Sequence, residues 1–168
     1  NNCIFICNEL FDALSSKQFI KTKNGFVERL ITIKDGEFIF IQGDVVDVNS
    51  DQFNEGDILE ISPMSKYLSE LIKSISIAAL IIDYGYLKYP KRSTLQAVKN
   101  NRHSKLFDDI GDADLTFHVD FIAVQKCFEN STISSQRDFL QNFGINTRAE
   151  ALIANGYDPK KMQLDLDR

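Results

Sequence analysis

The polar residues that follow the first apolar run are where this sequence most clearly carries chemistry. Residues 3–7 form an uninterrupted apolar run that stops at Asn8 and Glu9, and Asp12 follows three positions after Glu9. Continuous apolar runs of this length are typical of strands buried on both faces, as in a parallel α/β sheet. Ligands of such sheets bind just beyond the carboxyl ends of the strands. We therefore expect Asn8, Glu9 and Asp12 to lie at a functional site.

A second apolar run, over residues 77–82, also ends in polar groups, Asp83 and Tyr84. If the two strands end at the same edge of one sheet, these side chains lie near the first set. An aspartate at a strand end is about equally expected to have a purely structural role. The residues alone leave both roles open for Asp83.

A third polar group, His118 with Asp120, ends a strand-like alternation over residues 114–120 that leads into a predicted helix over residues 121–129. An imidazole can accept or relay a proton. The structural alternative is that Asp120 caps the helix and that His118 is a satisfied histidine between strand and helix. For Asp120 we favour the capping role.

Length, charge and cysteine content exclude several classes of protein. The 168 residues suffice for one domain, and an apolar content of 43% is ordinary for a globular protein. The net charge of −5 argues against nucleic-acid binding, and no apolar stretch reaches the ~20 residues of a membrane span. We find no signal peptide. The odd set of Cys3, Cys7 and Cys127 fits unpaired thiols in a reducing compartment, and no metal site is expected.

The region after the first polar group contains two hairpin signals. Residues 18–22, 26–33 and 37–42 are rich in Phe, Ile and Val, and an Asn-Gly and an Asp-Gly pair separate them. This pattern predicts a three-stranded antiparallel meander. Residues 43–56 are acidic but lack the ligand spacing of a calcium-binding EF-hand, so we predict a solvated loop.

Helix starts are clear in the rest of the sequence. Ser62 followed by Pro63 opens a helix, which together with the next strand forms half of a right-handed crossover. In the last third, the sequence predicts helix starts at Ser135-x-x-Asp138, Thr147-x-x-Glu150 and Asp158-Pro159.

Several of these stretches together resemble one family. Residues 8–14, Asn-Glu-Leu-Phe-Asp-Ala-Leu, are similar to the NE-[FL]-F-D-A-L-P signature of the MidA-type methyltransferases. These are class I S-adenosylmethionine-dependent enzymes, related to the mitochondrial complex I assembly factor that dimethylates a protein arginine. Further similarity runs in order over nearly the whole chain, at residues 17–19, 27–30, 60–63, 82–86, 94–98, 112–121, 136–140, 144–145 and 148–149. The DYGY and ADLTxHVDF strings are specific.

The resemblance implies an α/β fold: the C-terminal half of a class I methyltransferase Rossmann-like sheet, with an inserted antiparallel β-meander and C-terminal helices. We expect a single partial domain, with residues 1–16 and 57–135 in the sheet and its helices, 17–56 in the meander and acidic loop, and 136–168 in a helical segment. The family's glycine-rich cofactor loop and last strand have no counterpart here. The chain is therefore expected to be a piece of a larger protein that starts at the family's fourth strand.

The activity that the resemblance implies is methyl transfer from S-adenosylmethionine to a protein arginine, with a link to respiratory complex I assembly. Carboxylates that grip a guanidinium in a fork would orient it. The implied site residues are catalytic Glu9, Asp12 and His118, substrate-binding Asp83, Tyr84 and Asp120, and cofactor-binding Asn8. As structural alternatives, Asp12 would cap a following helix and Glu9 would pair with a lysine such as Lys17.

Because the cofactor-binding half has no counterpart, we expect the chain alone to transfer no methyl groups. The alternative function is a non-catalytic remnant or protein-interaction module from a split or truncated gene. Expected partners are a protein substrate that bears the arginine, and either a second copy or a separate chain that supplies the N-terminal half. The expected location is the bacterial cytoplasm or the mitochondrial matrix.

Overall fold

The structure, a computed structural model, describes residues 2–48 and 51–166. It divides into two compact units, the first ending at Asn130 and the second beginning at Ser131. The first unit contains β1 (Asn2–Asn8), β2 (Lys17–Thr22), β3 (Gly25–Lys34), β4 (Glu37–Val46), β5 (Ile58–Ile61), α1 (Met64–Ser74), β6 (Ser76–Ile82), β7 (Gly85–Tyr86), β8 (Gln96–Lys99), β9 (Arg102–Ser104), β10 (Asp114–Thr116), β11 (Val119–Asp120) and α2 (Phe121–Gln125). The second contains α3 (Gln136–Asn142), α4 (Ile145–Ala154) and α5 (Pro159–Leu166).

The two apolar runs form the parallel pair that positions the site. β1 and β6 pair in register from Asn2 opposite Ser76 to Asn8 opposite Ile82. They end at the same level, as the sequence predicted. The connecting helix α1 starts where Ser62 and Pro63 indicated, because the Ser62 hydroxyl accepts the Met64 N–H at 3.3 Å.

Only one face of β1 is buried in this chain. Cys7 packs with Met64 of α1 and Val124 of α2 in the main core. On the opposite face Ile4 and Ile6 are 77% and 67% exposed. The prediction of burial on both faces is therefore wrong for the described part of the chain, because a continuous apolar run does not show which of its faces a neighbouring element covers.

The antiparallel sheet confirms the predicted meander and extends it. Its strand order is β4-β3-β2-β5, and Phe26 at its centre is fully buried. β4 continues to Val46, so the prediction that residues 43–46 belong to the acidic loop is wrong. A register shift between Val27 and Arg29 lets Val45 pair with Val27 beyond this bulge, so the β-branched residues extend the strand despite the neighbouring acids.

Two small sheets complete the first unit near the site. β7 pairs in parallel with β11, and β8 lies between β9 and β10 in an antiparallel sheet. The predicted helix over residues 121–129 is too long, because α2 ends at Gln125. Beyond this residue the chain forms tight turns, in which Cys127 N–H donates to Val124 O and Phe128 N–H to Gln125 O.

The second unit is helical, as predicted. Ser135 caps α3 by accepting the Asp138 N–H at 3.1 Å, and Asp158 caps α5 by accepting the Lys160 N–H at 2.8 Å. The predicted start of α4 at Thr147 is wrong. Gly144, at φ 87°, turns the chain directly into α4, which begins at Ile145. Within the described ranges, no helix has both the length and the apolar character needed to cross a membrane.

Candidate functional site

The parallel ends of β1 and β6 place Glu9 beside Asp83 at one edge of the sheet. The Glu9 N–H donates to Ile82 O at 2.9 Å, which extends the pairing by one residue. Glu9 has φ 46°, a left-handed conformation that is uncommon outside glycine and that concentrates at functional sites. Its side chain is exposed, and among the described residues no hydrogen bond or ion pair occupies its carboxylate.

Asp83 holds the loop that carries the other acid. Its Oδ2 accepts the backbone N–H groups of Phe11 at 3.0 Å and Asp12 at 3.3 Å. Its Oδ1 accepts the N–H of Tyr84 at 2.9 Å. Burial raises the pKa of Asp83, against the lowering effect of these N–H groups. Asp83 thus anchors the backbone of the loop that carries Asp12.

Asp12 is a buried carboxylate with one free oxygen. The residue is only 5% exposed, and its Oδ2 accepts the Tyr84 hydroxyl at 2.5 Å. Its Oδ1 is buried and has no donor among the described residues. A buried oxygen without a donor costs free energy, so a cationic or donor-rich ligand that reaches Oδ1 is stabilised there.

Both structural alternatives for the two acids are wrong. Lys17 pairs with Glu28 at 2.8 Å and not with Glu9. Asp12 caps no helix, because the chain after it makes a turn, with Leu14 N–H donating to Phe11 O, and then enters β2.

His118 lies beside the hydrogen-bonded pair of Asp12 and Tyr84, whereas Asp120 caps helix α2. The rings of His118 and Tyr84 meet edge to face, with centroids 5.6 Å apart. Asp120 Oδ1 accepts the Ala123 N–H at 3.0 Å, which confirms the predicted cap of α2. Burial raises the pKa of Tyr86, and the charge of Asp120 adds to this rise.

Sequence reasoning missed the residues that surround Tyr84 and His118. Burial and the bond to Asp12 raise the pKa of Tyr84, whereas hydrogen bonds with Thr116 and Gln96 act in the opposite direction. Gln96 also donates to the Thr116 hydroxyl at 3.0 Å. The signals in the sequence were the position of Thr116, two residues before His118, and the family resemblance over residues 94–98 and 112–121, which contain Gln96 and Thr116.

A cleft adjoins the site on the side of Phe11 and His118. It is small and partly open to solvent. The polar and aromatic groups in its lining include Glu60, Ser62, Tyr86 and Asp120. Both carboxylates in this lining already accept hydrogen bonds from the chain itself, Glu60 from Gln18 and Thr94 and Asp120 from Ala123.

Parallel strand ends that carry acids, a connection between those strands that includes a helix, and an inserted antiparallel sheet make up an α/β architecture. The family described as "Putative S-adenosyl-L-methionine-dependent methyltransferase" matches residues 1–137. The chain belongs to this family, which confirms the resemblance to the MidA-type methyltransferases.

Curated relatives are longer than this chain. A protein from Danio rerio named protein arginine methyltransferase NDUFAF7, mitochondrial, is 30% identical over 96% of the chain and 42% of its own length. The homologue of that protein from Caenorhabditis elegans is 26% identical, over 95% of the chain and 42% of its own length. The chain thus spans about two fifths of these relatives.

Two solved structures share the fold. A protein of unknown function from Burkholderia thailandensis superposes with a TM-score of 0.79 at 24% identity, over 97% of the chain and 48% of that protein. A second structure from the same organism, of a "likely methyl transferase" bound to S-adenosyl-homocysteine, gives a TM-score of 0.78 at 23% identity, over 97% of the chain and 46% of that chain.

One predicted site residue fits the cofactor that this family uses. Asn8 is exposed at the end of β1, and its amide can both donate and accept hydrogen bonds to the polar groups of S-adenosylmethionine. Gly85 is not a cofactor cradle. A Cβ at this position would lie 2.1 Å from Val119 O, so its small size serves the pairing of β7 with β11.

Proposed function

We propose that the edge formed by the ends of β1 and β6 is the acceptor side of an S-adenosylmethionine-dependent methyltransferase that modifies a protein arginine. The observation that carries this proposal is the buried Asp12, whose Oδ1 has no donor in the described part of the chain. The names of the curated relatives support arginine as the acceptor.

Glu9 and Asp12 together form the proposed guanidinium clamp. A guanidinium is planar, permanently charged and rich in N–H donors, so two carboxylates can hold it in one orientation. Asp12 contributes its free Oδ1, while Tyr84 holds the other oxygen. Glu9 contributes an exposed carboxylate that the left-handed backbone presents at the strand end. Holding the nucleophile in line with the methyl group supplies much of the rate of such reactions.

S-adenosylmethionine supplies the methyl group, and Asn8 at the end of β1 is the proposed contact to it. As a bond from a guanidinium nitrogen to the methyl carbon forms, the bond from that carbon to sulfur would break and leave a neutral thioether, and the nitrogen would lose one proton. His118, edge-on to Tyr84 beside the clamp, is the proposed acceptor of this proton. Asp83 and Tyr84 contribute to substrate binding by holding Asp12, and Asp120 lines the cleft that adjoins the clamp.

Peptide titration of this chain tests the clamp directly. We expect an arginine-containing tripeptide to bind the wild-type chain, and the matching lysine tripeptide to bind at least about tenfold more weakly. Glu9→Gln and Asp12→Asn should each weaken arginine binding by a similar factor. The matched control is Glu37→Gln, which neutralises an exposed glutamate in the β3–β4 hairpin. Equal binding of arginine and lysine peptides, or wild-type methylation by the full-length protein with Glu9→Gln, would contradict the clamp.

The second candidate function is a non-catalytic protein-interaction module. Exposed apolar side chains on the meander favour it, since Ile31, Ile33 and Val45 are 50%, 63% and 59% exposed. Calorimetric titration with S-adenosylmethionine tests whether the chain alone binds the cofactor. Micromolar binding would contradict our hypothesis that the chain alone is inactive, and its absence would leave the chain dependent on a partner or on further sequence.

We propose the location and wider role of the whole protein from the names of its relatives. The names of the relatives from Danio rerio and Caenorhabditis elegans call them mitochondrial. We therefore propose the mitochondrial matrix as the location, or the cytoplasm if the source is a bacterium. The link to respiratory complex I assembly, pairing with an N-terminal half and homodimer formation are further proposals of the same kind. Size measurement of the chain with and without the N-terminal half of a relative tests the pairing.

A further inference from the structure

Thr94 connects the antiparallel sheet with the candidate site through its hydroxyl. The residue is 8% exposed. Its hydroxyl donates to Oε2 of Glu60 on β5, and its oxygen accepts the backbone N–H of His118 at 3.0 Å. We propose that Thr94 is a positioning residue that holds His118 beside the acceptor clamp, and that Glu60 sets the direction of the Thr94 hydroxyl. This inference rests on the proposed function.

The charge of Glu60 makes the arrangement directional. A carboxylate can only accept hydrogen bonds, and a hydroxyl has a single hydrogen to donate. Because the Thr94 hydroxyl donates its hydrogen bond to Glu60, the lone pairs of the Thr94 oxygen are available to accept the His118 N–H. The Thr94 N–H donates to the other Glu60 oxygen, Oε1, at 2.9 Å. The two bonds to one carboxylate fix both the backbone and the side chain of Thr94.

Glu60 is itself held in place by the antiparallel sheet. It is 8% exposed, and Oε1 also accepts Nε2 of Gln18 at 2.7 Å. The Gln18 carbonyl oxygen in turn accepts Nη1 of Arg29 at 2.9 Å. The Arg29 guanidinium lies over the Phe40 ring, 3.4 Å from its centroid. Gln18 thus links the buried Glu60 carboxylate to the Arg29 cation through two hydrogen bonds. This link helps to stabilise a buried carboxylate.

The segment that carries His118 is held from two sides. The Phe117 N–H donates to the backbone oxygen of Asp12 at 2.9 Å, and the next N–H, of His118, donates to Thr94. The His118 ring contacts Tyr84, which holds the Asp12 carboxylate. The N–H of Val119 is anchored as well, on Tyr84 O, so removal of the Thr94 hydroxyl frees the middle one of three consecutive anchors and loosens His118 relative to the clamp.

Amide exchange measured by NMR on the 15N-labelled chain tests the positioning without any need for methyl transfer. The readout is the exchange rate of the His118 amide relative to that of Val119, whose N–H donates to Tyr84 O. Thr94→Val should raise this ratio at least about fivefold, because the hydroxyl acceptor is lost, whereas Thr94→Ser should stay within about twofold of wild type. Glu60→Gln should also raise it, since the new NH₂ group can donate to the Thr94 oxygen and compete with His118.

The matched control is Thr22→Val. The Thr22 hydroxyl also both donates and accepts: it donates to Gly25 O at 2.8 Å and accepts the Asn24 N–H at 3.2 Å. It lies in a hairpin of the antiparallel sheet. It should leave the His118 ratio unchanged. An unchanged ratio in Thr94→Val, or a rise in Thr94→Ser equal to that in Thr94→Val, would overturn the proposal. If Thr94→Val does not fold, Glu60→Gln decides by the same measure.

Arginine-peptide affinity of the same variants separates this inference from the proposed function. We expect Thr94→Val to weaken binding at least about fivefold and Thr94→Ser to restore it. If the wild-type chain binds no arginine peptide, the proposed acceptor is wrong, and the exchange ratio still decides whether Thr94 positions His118. If the peptide binds and the exchange ratio of Thr94→Val stays at the wild-type value, the clamp stands and the positioning role is overturned.

Discussion

The Tyr84 hydroxyl lies 2.5 Å from Oδ2 of Asp12 and joins the segment after β6 to the segment after β1. The other oxygen of Asp12 is buried without a donor among the described residues. One oxygen of the Asp12 carboxylate therefore has a structural role, and the other is free to bind a ligand. This division explains how a buried acid can be rigid and still have an oxygen for a ligand.

Replacing Tyr84 with phenylalanine removes this bond and leaves Asp12 with two unpaired oxygens. Hydrogen bonds to charged groups contribute about 1.5–3 kcal/mol, so we expect Tyr84→Phe to lower the free energy of unfolding by about 2 kcal/mol. Urea denaturation measures the loss. The matched control is Tyr157→Phe, because Tyr157 donates to Asp165 at 2.9 Å on an exposed surface and should cost less than about 0.5 kcal/mol. Equal losses in the two variants would contradict a special role for the buried pair.

Relief of the left-handed backbone at Glu9 should separate stability from ligand binding. Glycine accepts φ 46° without the Cβ strain of about 1–2 kcal/mol, partly offset by its greater flexibility in the unfolded chain. We expect Glu9→Gly to raise the free energy of unfolding by about 0.5–1 kcal/mol and to lose arginine-peptide binding. Glu9→Ala keeps the strain, so it should lose binding without the gain. Thermal unfolding together with peptide titration checks both, and a gain in Glu9→Ala as large as in Glu9→Gly would rule out strain relief.

Periodicity and turn residues predicted most of the fold, because they report local preferences. The Asn-Gly and Asp-Gly pairs predicted the hairpins, and Ser62-Pro63 predicted the start of α1. The errors lie where non-local contacts decide. The exposure of Ile4 depends on what covers the strand, and Val45 joins β4 only because a bulge near Val27 shifts its partner.

The candidate site was predictable only in part, for the same reason. The strand ends marked Glu9, Asp12 and Asp83, because polar residues after an apolar run are visible in the sequence. The partners of these residues were not visible. Tyr84 reaches Asp12 from the end of the neighbouring strand, and Thr94 reaches His118 from a segment that the family resemblance covers without assigning it a role. Such pairs exist only once the chain is folded.

Gly85, which lies beside the site, should not tolerate even a methyl side chain. A Cβ there would lie 2.1 Å from Val119 O, a backbone atom that cannot turn away. We expect Gly85→Ala to cost at least about 3 kcal/mol of unfolding free energy, because β7 and β11 must separate. Gly43→Ala is the control: its Cβ would meet the Leu30 side chain at 2.9 Å, which can adjust. Denaturant midpoints compare the two, and a smaller loss at Gly85 than at Gly43 would show that the pairing is loose.

The pH dependence of stability should have opposite signs at two aspartates. Burial raises the pKa of Asp83 above its usual value of 3.8, so the folded chain binds the proton more tightly than the unfolded chain. The contribution of Asp83 is then largest below pH 3.8 and is lost as the pH rises through its folded pKa. Hydrogen bonds from Lys99 and Ser104 lower the pKa of Asp109, so its contribution is present above pH 3.8 and is lost as the pH falls.

Chemical denaturation between pH 3 and pH 7 measures the difference between wild type and each asparagine variant. With rising pH, the advantage of wild type over Asp83→Asn should shrink, while its advantage over Asp109→Asn should grow and then level off above the usual pKa of an aspartate. The Asp109 side chain is paired at the surface with Lys99 at 2.6 Å, so added salt should reduce its effect and leave that of Asp83 nearly unchanged. The same sign at both positions would mean that the N–H groups of Phe11, Asp12 and Tyr84 outweigh the burial of Asp83. Asp83 would then anchor the loop as a stable carboxylate.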